Sequence, residues 1–152
     1  MYEQLKLENQ LCFPFYAVSR LIIRAYQDDL DALEITYPQY LVLMVLWEKD
    51  QVSVVEIGEK LILNTNTVTP LLKRMEVQGL ILRVPSQIDQ RRVIVSLTEK
   101  GKVMQQKAAQ IPYNLIKKLN IDTGNEKIAE INRLKTQLYE LIDLLKLIED
   151  IV

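Results

Sequence analysis

The chain contains no histidine and a single cysteine, Cys12, among 152 residues. Without an imidazole it lacks the side chain that most readily trades protons near neutrality. No Cys-x-x-Cys pair, glycine-rich phosphate loop or cluster with metal-ligand spacing occurs in it. An enzyme such as a thiol peroxidase is therefore disfavoured, and neither a cofactor nor a metal is expected. One cysteine cannot close an internal disulfide, which fits a reducing cytoplasm. Four glycines and five prolines leave no flexible or proline-rich linker, so residues 1–152 are expected to form one domain. No apolar run reaches the roughly 18 residues of a membrane span. The opening Met1-Tyr2-Glu3-Gln4-Leu5-Lys6-Leu7-Glu8 has no signal-peptide core. A cytoplasmic chain with no membrane partner is expected.

What is present is an ordinary balance for a folded chain, 49% hydrophobic and 26% charged. The net charge of −1 argues against nucleic-acid binding if it is spread evenly. It is not. Residues 71–92 carry Lys73, Arg74, Arg83, Arg91 and Arg92 against only Glu76 and Asp89, while acids gather at Asp28, Asp29, Asp31 and Glu34. A local basic surface suffices to meet phosphate.

The periodicity predicts a mainly α protein. Leu11, Phe15, Val18, Ile22 and Tyr26 recur at helical spacing between about Leu7 and Leu33. Pro14 either opens that helix or kinks it. If it opens it, Cys12 lies beside a helix N-terminus, whose partial positive charge favours a thiolate. A second helix, about Pro38 to Lys49, is apolar all round and reads as buried, with Met44 and Trp47 in the core. Ser53-Val54-Val55-Glu56 is a capping box opening a short helix that ends near Leu61. Asn64-Thr65-Asn66-Thr67 then offers N-cap oxygens to a helix carrying Val68, Leu71, Leu72 and Met75, closed by Gly79. Two helices joined by a tight polar turn make a helix-turn-helix.

Leu80 to Val84 reads as a strand, residues 86–91 as a turn-rich loop, and Val93 to Leu97 as a second strand, with Pro85 at a tolerated strand end. The result is a two-stranded wing with a charged tip. Thr98 caps a helix running from Glu99 towards Leu119, broken by residues 120–124. In the last helix, Ile131, Leu134, Leu138, Leu141, Leu145, Ile148 and Val152 form a heptad seam, widened by Ile142, Leu144 and Leu147. A second subunit is expected to cover it, beside the first helix; an intramolecular bundle can coexist with that.

A winged helix-turn-helix places a recognition helix in the major groove, where base edges are distinguishable. Asn64, Thr65, Asn66 and Thr67 are short polar side chains at the tip that approaches bases, and Thr69 adds a methyl or hydroxyl. One of the four caps the helix, but four exceed the need of a cap. Lys73 and Arg74 are better placed for phosphate. At the hairpin tip Arg91 is expected to enter a minor groove, pre-ordered by a carboxylate pair with Asp89.

These features resemble the MarR family of winged-helix repressors, in particular its organic-hydroperoxide-sensing OhrR branch with MgrA/SarZ-like relatives. The resemblance covers about residues 7–111. It is carried by Leu7-Glu8-Asn9-Gln10-Leu11-Cys12-Phe13, by Ile35-Thr36-Tyr37-Pro38-Gln39-Tyr40 and by Thr67-Val68-Thr69-Pro70-Leu71-Leu72-Lys73-Arg74-Met75-Glu76. Asp89-Gln90-Arg91 ahead of Ser96-Leu97-Thr98-Glu99-Lys100-Gly101 completes it. It implies a homodimer built from terminal helices (residues 7–34 and 100–152) around a DNA-binding part of about residues 35–99, repressing from a pseudo-palindromic double-stranded operator. Members of the branch commonly carry Asp-Ser-Gly where this chain has Asn64-Thr65-Asn66, and an ordinary apolar residue in place of Pro14.

The resemblance also implies a redox sensor. In that branch tyrosine hydroxyls of the partner subunit contact the reactive cysteine; Tyr26 and Tyr37 occupy the matching positions, and Tyr16 lies one turn from Cys12. An organic hydroperoxide would oxidise Cys12 to the sulfenic acid, and resolution would need a low-molecular-weight thiol or overoxidation. The alternative is a MarR-type regulator released by a phenolic or fatty ligand in the dimer interface, with Cys12 inert. A dimeric interaction protein without DNA binding is the blandest option.

Overall fold

A computed structural model describes residues 2–120 and 124–149. The chain divides into two compact units, Met1–Leu115 and Ile116–Val152.

After two 3-10 turns, Glu3–Leu5 and Leu7–Asn9, helix α1 runs Cys12–Asp31. The sequence left open whether Pro14 opens or kinks this helix. It lies in the first turn, where a missing N–H costs nothing because that donor has no intrahelical partner. Helix α2 is Tyr37–Glu48. A capping box starts it: the Thr36 N–H donates to Gln39 Oε1 at 2.8 Å, with Pro38 in the first turn. Its buried residues include Tyr40, Val42, Leu43, Val45 and Leu46. Met44, expected in the core, is instead 39% exposed. Trp47 is half-buried, its indole N–H donating to the Gly101 carbonyl at 2.9 Å.

The helix-turn-helix follows. Strand β1 (Val52–Ser53) leads into α3 (Val54–Leu61), and α4 is Thr65–Val77. Ser53 Oγ accepts from the Glu56 N–H at 3.2 Å while Glu56 Oε2 accepts from the Ser53 N–H at 3.0 Å. Between α3 and α4, Ile62 takes a left-handed conformation (φ 56°). Gly79, at φ 70°, ends α4. Its N–H donates to the Glu76 carbonyl and the next N–H, of Leu80, to Met75, a left-handed stop that glycine adopts without strain. Val68, Leu72, Met75, Ile57, Leu43 and Leu46 have essentially no exposed surface; burying each contributes about 1.5–3 kcal/mol.

Strands β2 (Ile81–Pro85) and β3 (Val93–Leu97) form the wing. The sheet has a third strand beyond the two expected for the wing: β1 pairs with β3, giving the order β1-β3-β2, all antiparallel. Thr98 caps α5, Glu99–Ala108. Gly101 sits so close to the Leu80 carbonyl that a Cβ has no room there.

The single helix expected from Glu99 towards Leu119 is in fact two, α5 and α6 (Ile111–Lys118). Pro112 is the physical reason: it has no N–H for the Ala108 carbonyl, and its ring crowds that carbonyl. Residues 121–123 of the expected break and Val152 of the seam lie outside the described residues. Helix α7 spans Asn125–Glu149; along its seam Ile131, Leu134, Leu138, Leu145 and Ile148 are exposed. Among the described residues no helix is long and apolar enough to cross a membrane.

Candidate nucleic-acid interface and thiol site

The polar tip of α4 divides its labour. Asn64 is the N-cap, and its Oδ1 accepts from both the N–H and the hydroxyl of Thr67, each at 3.1 Å. Asn64 and Thr67 are therefore committed to holding the tip. Thr65 and Asn66 are exposed and free to meet a base edge. Thr69 is half-buried one turn on, and Lys73 and Arg74 are exposed further along.

The wing tip is ordered by main-chain bonds. Ser86 N–H donates to the Arg92 carbonyl at 2.8 Å, and Arg92 N–H to the Asp89 carbonyl at 2.9 Å. Ser86 Oγ accepts from the N–H groups of Ile88 and Asp89. The expected Asp89–Arg91 ion pair is not formed. Asp89 Oδ1 accepts the Arg91 main-chain N–H at 3.1 Å instead, because a carboxylate two residues back reaches that amide more directly than the long guanidinium. The Arg91 side chain is left exposed.

Thr65, Thr69, Arg83, Arg91 and Arg92 line one concavity of about 210 Å³ between α4 and the wing. α4 and the wing thus bring basic side chains to the same concavity, whose lining also includes the apolar Val54, Val55, Leu72 and Val93. Arg92, counted in the basic stretch but given no role of its own from sequence, shares it. Arg83 is different: its Nε and Nη2 donate to Glu76 Oε2 at 3.0 and 2.6 Å, and its main-chain N–H to Oε1 at 3.2 Å. This fork holds the Glu76 carboxyl below the usual carboxylate range, chiefly through the Arg83 hydrogen bond, and takes Arg83 out of the basic count. It also ties the wing to α4. The tie joins residues seven apart across a helix end and a turn, for which no spacing rule gives a signal.

Cys12 is the first residue of α1 and is exposed. Tyr16, one turn on, is exposed as well; it accepts from Arg20 Nη1 at 3.4 Å, and the guanidinium carbon stands 5.6 Å from its ring centre. Tyr26 and Tyr37 meet with ring centroids 5.2 Å apart. Tyr40, absent from the expected site, joins them at 6.2 and 6.4 Å. Burial raises the pKa of all three phenols, and neighbouring phenols add to the rise at Tyr26 and Tyr40. They stay protonated and can donate.

Within one chain the structure does not bring Cys12 to Tyr26 or Tyr37. Fourteen residues of helix put Cys12 and Tyr26 about 21 Å apart along α1. Among the described residues no group of His, Cys, Asp and Glu is arranged to hold a metal ion.

Residues 24–108 match the family described as transcriptional regulator SarA/Rot. The organic hydroperoxide resistance transcriptional regulator of Bacillus subtilis (strain 168) is 46% identical over 144 residues, covering 95% of each chain. Among solved structures, reduced AbfR bound to DNA superposes with a TM-score of 0.69 at 38% identity, covering 93% of this chain and 98% of that one. Overoxidised AbfR bound to DNA gives 0.68 at 38% identity, covering 91% and 97%.

Proposed function

The chain belongs to the SarA/Rot/MarR-type winged-helix transcription regulators, and from that premise we propose that it is a homodimeric repressor released from its operator when an organic hydroperoxide oxidises Cys12. Each copy offers one α4 to a major groove and one wing to the flanking minor groove. Thr65, Asn66 and Thr69 read bases, Asn64 and Thr67 hold the tip, and Lys73, Arg74 and Arg91 meet phosphate or minor groove. Asp89 shapes the wing tip. Two copies set two recognition helices at fixed separation, which calls for a pseudo-palindromic site.

The observation that carries the sensing half is the exposed Cys12 thiol at one end of α1 and the protonated tyrosine pair near the other. A second copy running antiparallel puts the thiol of one chain against Tyr26 and Tyr37 of its partner, with Tyr16 beside its own cysteine.

The Cys12 thiolate attacks the terminal oxygen of ROOH; an S–O bond forms, the O–O bond breaks, and the alkoxide leaves as ROH after taking a proton. Sulfur is oxidised by two electrons to the sulfenic acid. With no second cysteine in the chain, a low-molecular-weight thiol R′SH condenses with it, forming a mixed disulfide and water. AbfR is bound to DNA in its overoxidised form, which favours the mixed disulfide over overoxidation as the releasing state. The bulk of that adduct, rather than one or two oxygens, displaces the tyrosines.

The test is an operator gel shift with wild type and Cys12→Ser, reduced or treated with cumene hydroperoxide with and without thiol. Release of wild type, largest with thiol present, and full retention of Cys12→Ser are expected. Equal release of both proteins overturns the role of Cys12.

A further inference from the structure

The α2 helix begins at Tyr37, one of the two tyrosines of the sensor reading, and α4 ends where its C-cap, Gln78, turns into the wing. These two helix ends are joined by one polar chain. The Thr36 N–H donates to Gln39 Oε1 at 2.8 Å. Gln39 Nε2 donates to Gln78 Oε1 at 2.7 Å. Gln78 Nε2 reaches the Glu34 carbonyl at 3.3 Å, and the Gln78 carbonyl accepts from Lys100 Nζ at 2.9 Å.

Gln39 is only 3% exposed and, with Ser53, is one of two buried polar residues among those described. A buried amide is costly unless both its ends are bonded. Here its oxygen caps α2 and its nitrogen is bonded to Gln78, the C-cap of α4. Glu34, whose carbonyl anchors the far end, holds a left-handed φ of 57° in the α1–α2 turn. That turn joins α1, which carries Tyr26, to α2, which begins at Tyr37.

We propose that Gln39 and Gln78 are positioning residues that couple the tyrosine pair to the recognition helix, so that a shift of Tyr37 at the head of α2 is paid out as a tilt of α4. The proposal deepens the sensor reading and rests on it for its trigger, but the joint itself is a property of the reduced chain. The Gln39–Gln78 bond is either made or broken, so the joint is a candidate for the two-state element that such coupling requires. Neither glutamine touches a base, so their effect on DNA runs through the placement of α4.

The experiment uses the full-length chain with Gln78→Met, Gln39→Met, the double variant, and Gln78→Glu, which keeps an acceptor for Gln39 Nε2. Operator Kd is measured for each, reduced and after cumene hydroperoxide plus thiol. Gln78 is exposed, so its variants fold. Gln78→Met is expected to cut the peroxide-induced loss of affinity to a third of the wild-type ratio or less, with Gln78→Glu restoring it, and to change reduced affinity by only about two- to tenfold. An unchanged ratio in Gln78→Met overturns the proposal. If wild type itself is not released, the sensor reading has failed and the joint is judged on the reduced proteins alone. A non-additive factor of about three or more between the two Met substitutions supports it, and additivity overturns it.

Discussion

The two halves of α1 lie in different surroundings. From Tyr26 to Leu30 the helix is seated: Leu30 is buried, and Tyr26 packs against Tyr37 and Tyr40 at the edge of the core. From Phe13 to Ile23 it is not, for Phe13, Phe15, Val18, Leu21, Ile22 and Ile23 are each at least 37% exposed. A contiguous apolar surface of that kind is rare on a chain that works alone. The winged helix-turn-helix is thus finished within one chain, with its core closed and no buried polar side-chain atom unpaired among the described residues, whereas the half of α1 that carries Cys12 is unfinished. A thiol on an unfinished surface changes its neighbours when it is modified; the same thiol in the closed core could not be reached.

That contrast can be broken most severely on the unfinished side. Leu138→Glu puts a charge into the exposed seam of α7. The chain is expected to keep its helix content but sediment as a single subunit, and to lose operator affinity by on the order of a hundredfold because one half-site is no longer reached. Leu72→Ala tests the finished side. It empties a fully buried position and is expected to cost about 2–5 kcal/mol in denaturant unfolding, leaving the operator sequence preference unchanged. Arg91→Ala, on the exposed wing, is expected to lower the salt slope of DNA binding by about one and to weaken specific and non-specific DNA alike.

The smallest effect is in acid. Glu56, bonded to Ser53, and Glu76, bonded to Arg83, have carboxyls held below their usual range. Their stabilisation is complete above the ordinary glutamate pKa, about 4.3, and is lost as pH falls through their lower folded values. Urea midpoints of Glu76→Gln and wild type are expected to converge below that pH and separate above it.

Much of this was legible in the sequence, for reasons that are local. The Ser53–Glu56 box, the Asn64 and Thr98 caps and the Gly79 stop each act within a few residues, so spacing alone reveals them. The heptad steps of α7 and the alternation of β3 are equally local. Pro112 is an equally local signal for the break between α5 and α6. What stayed hidden depends on distance. Val52 and Ser53 are too short a run to announce a strand until β3 is placed beside them. Met44 faces outward although every neighbour on α2 suggests burial. Asp89 pairs with a main-chain amide rather than with the guanidinium two residues away. The Gln39–Gln78 bond spans 39 positions, and no pattern in a single sequence marks it.

The most direct test follows one labelled operator duplex by sedimentation while the mass of Cys12 is read on the same samples. Two copies per duplex are expected in the reduced state, with free duplex appearing in step with the Cys12–thiol adduct. A duplex that carries one copy, or that keeps both after every Cys12 bears the adduct, contradicts the link between the unfinished face and the DNA.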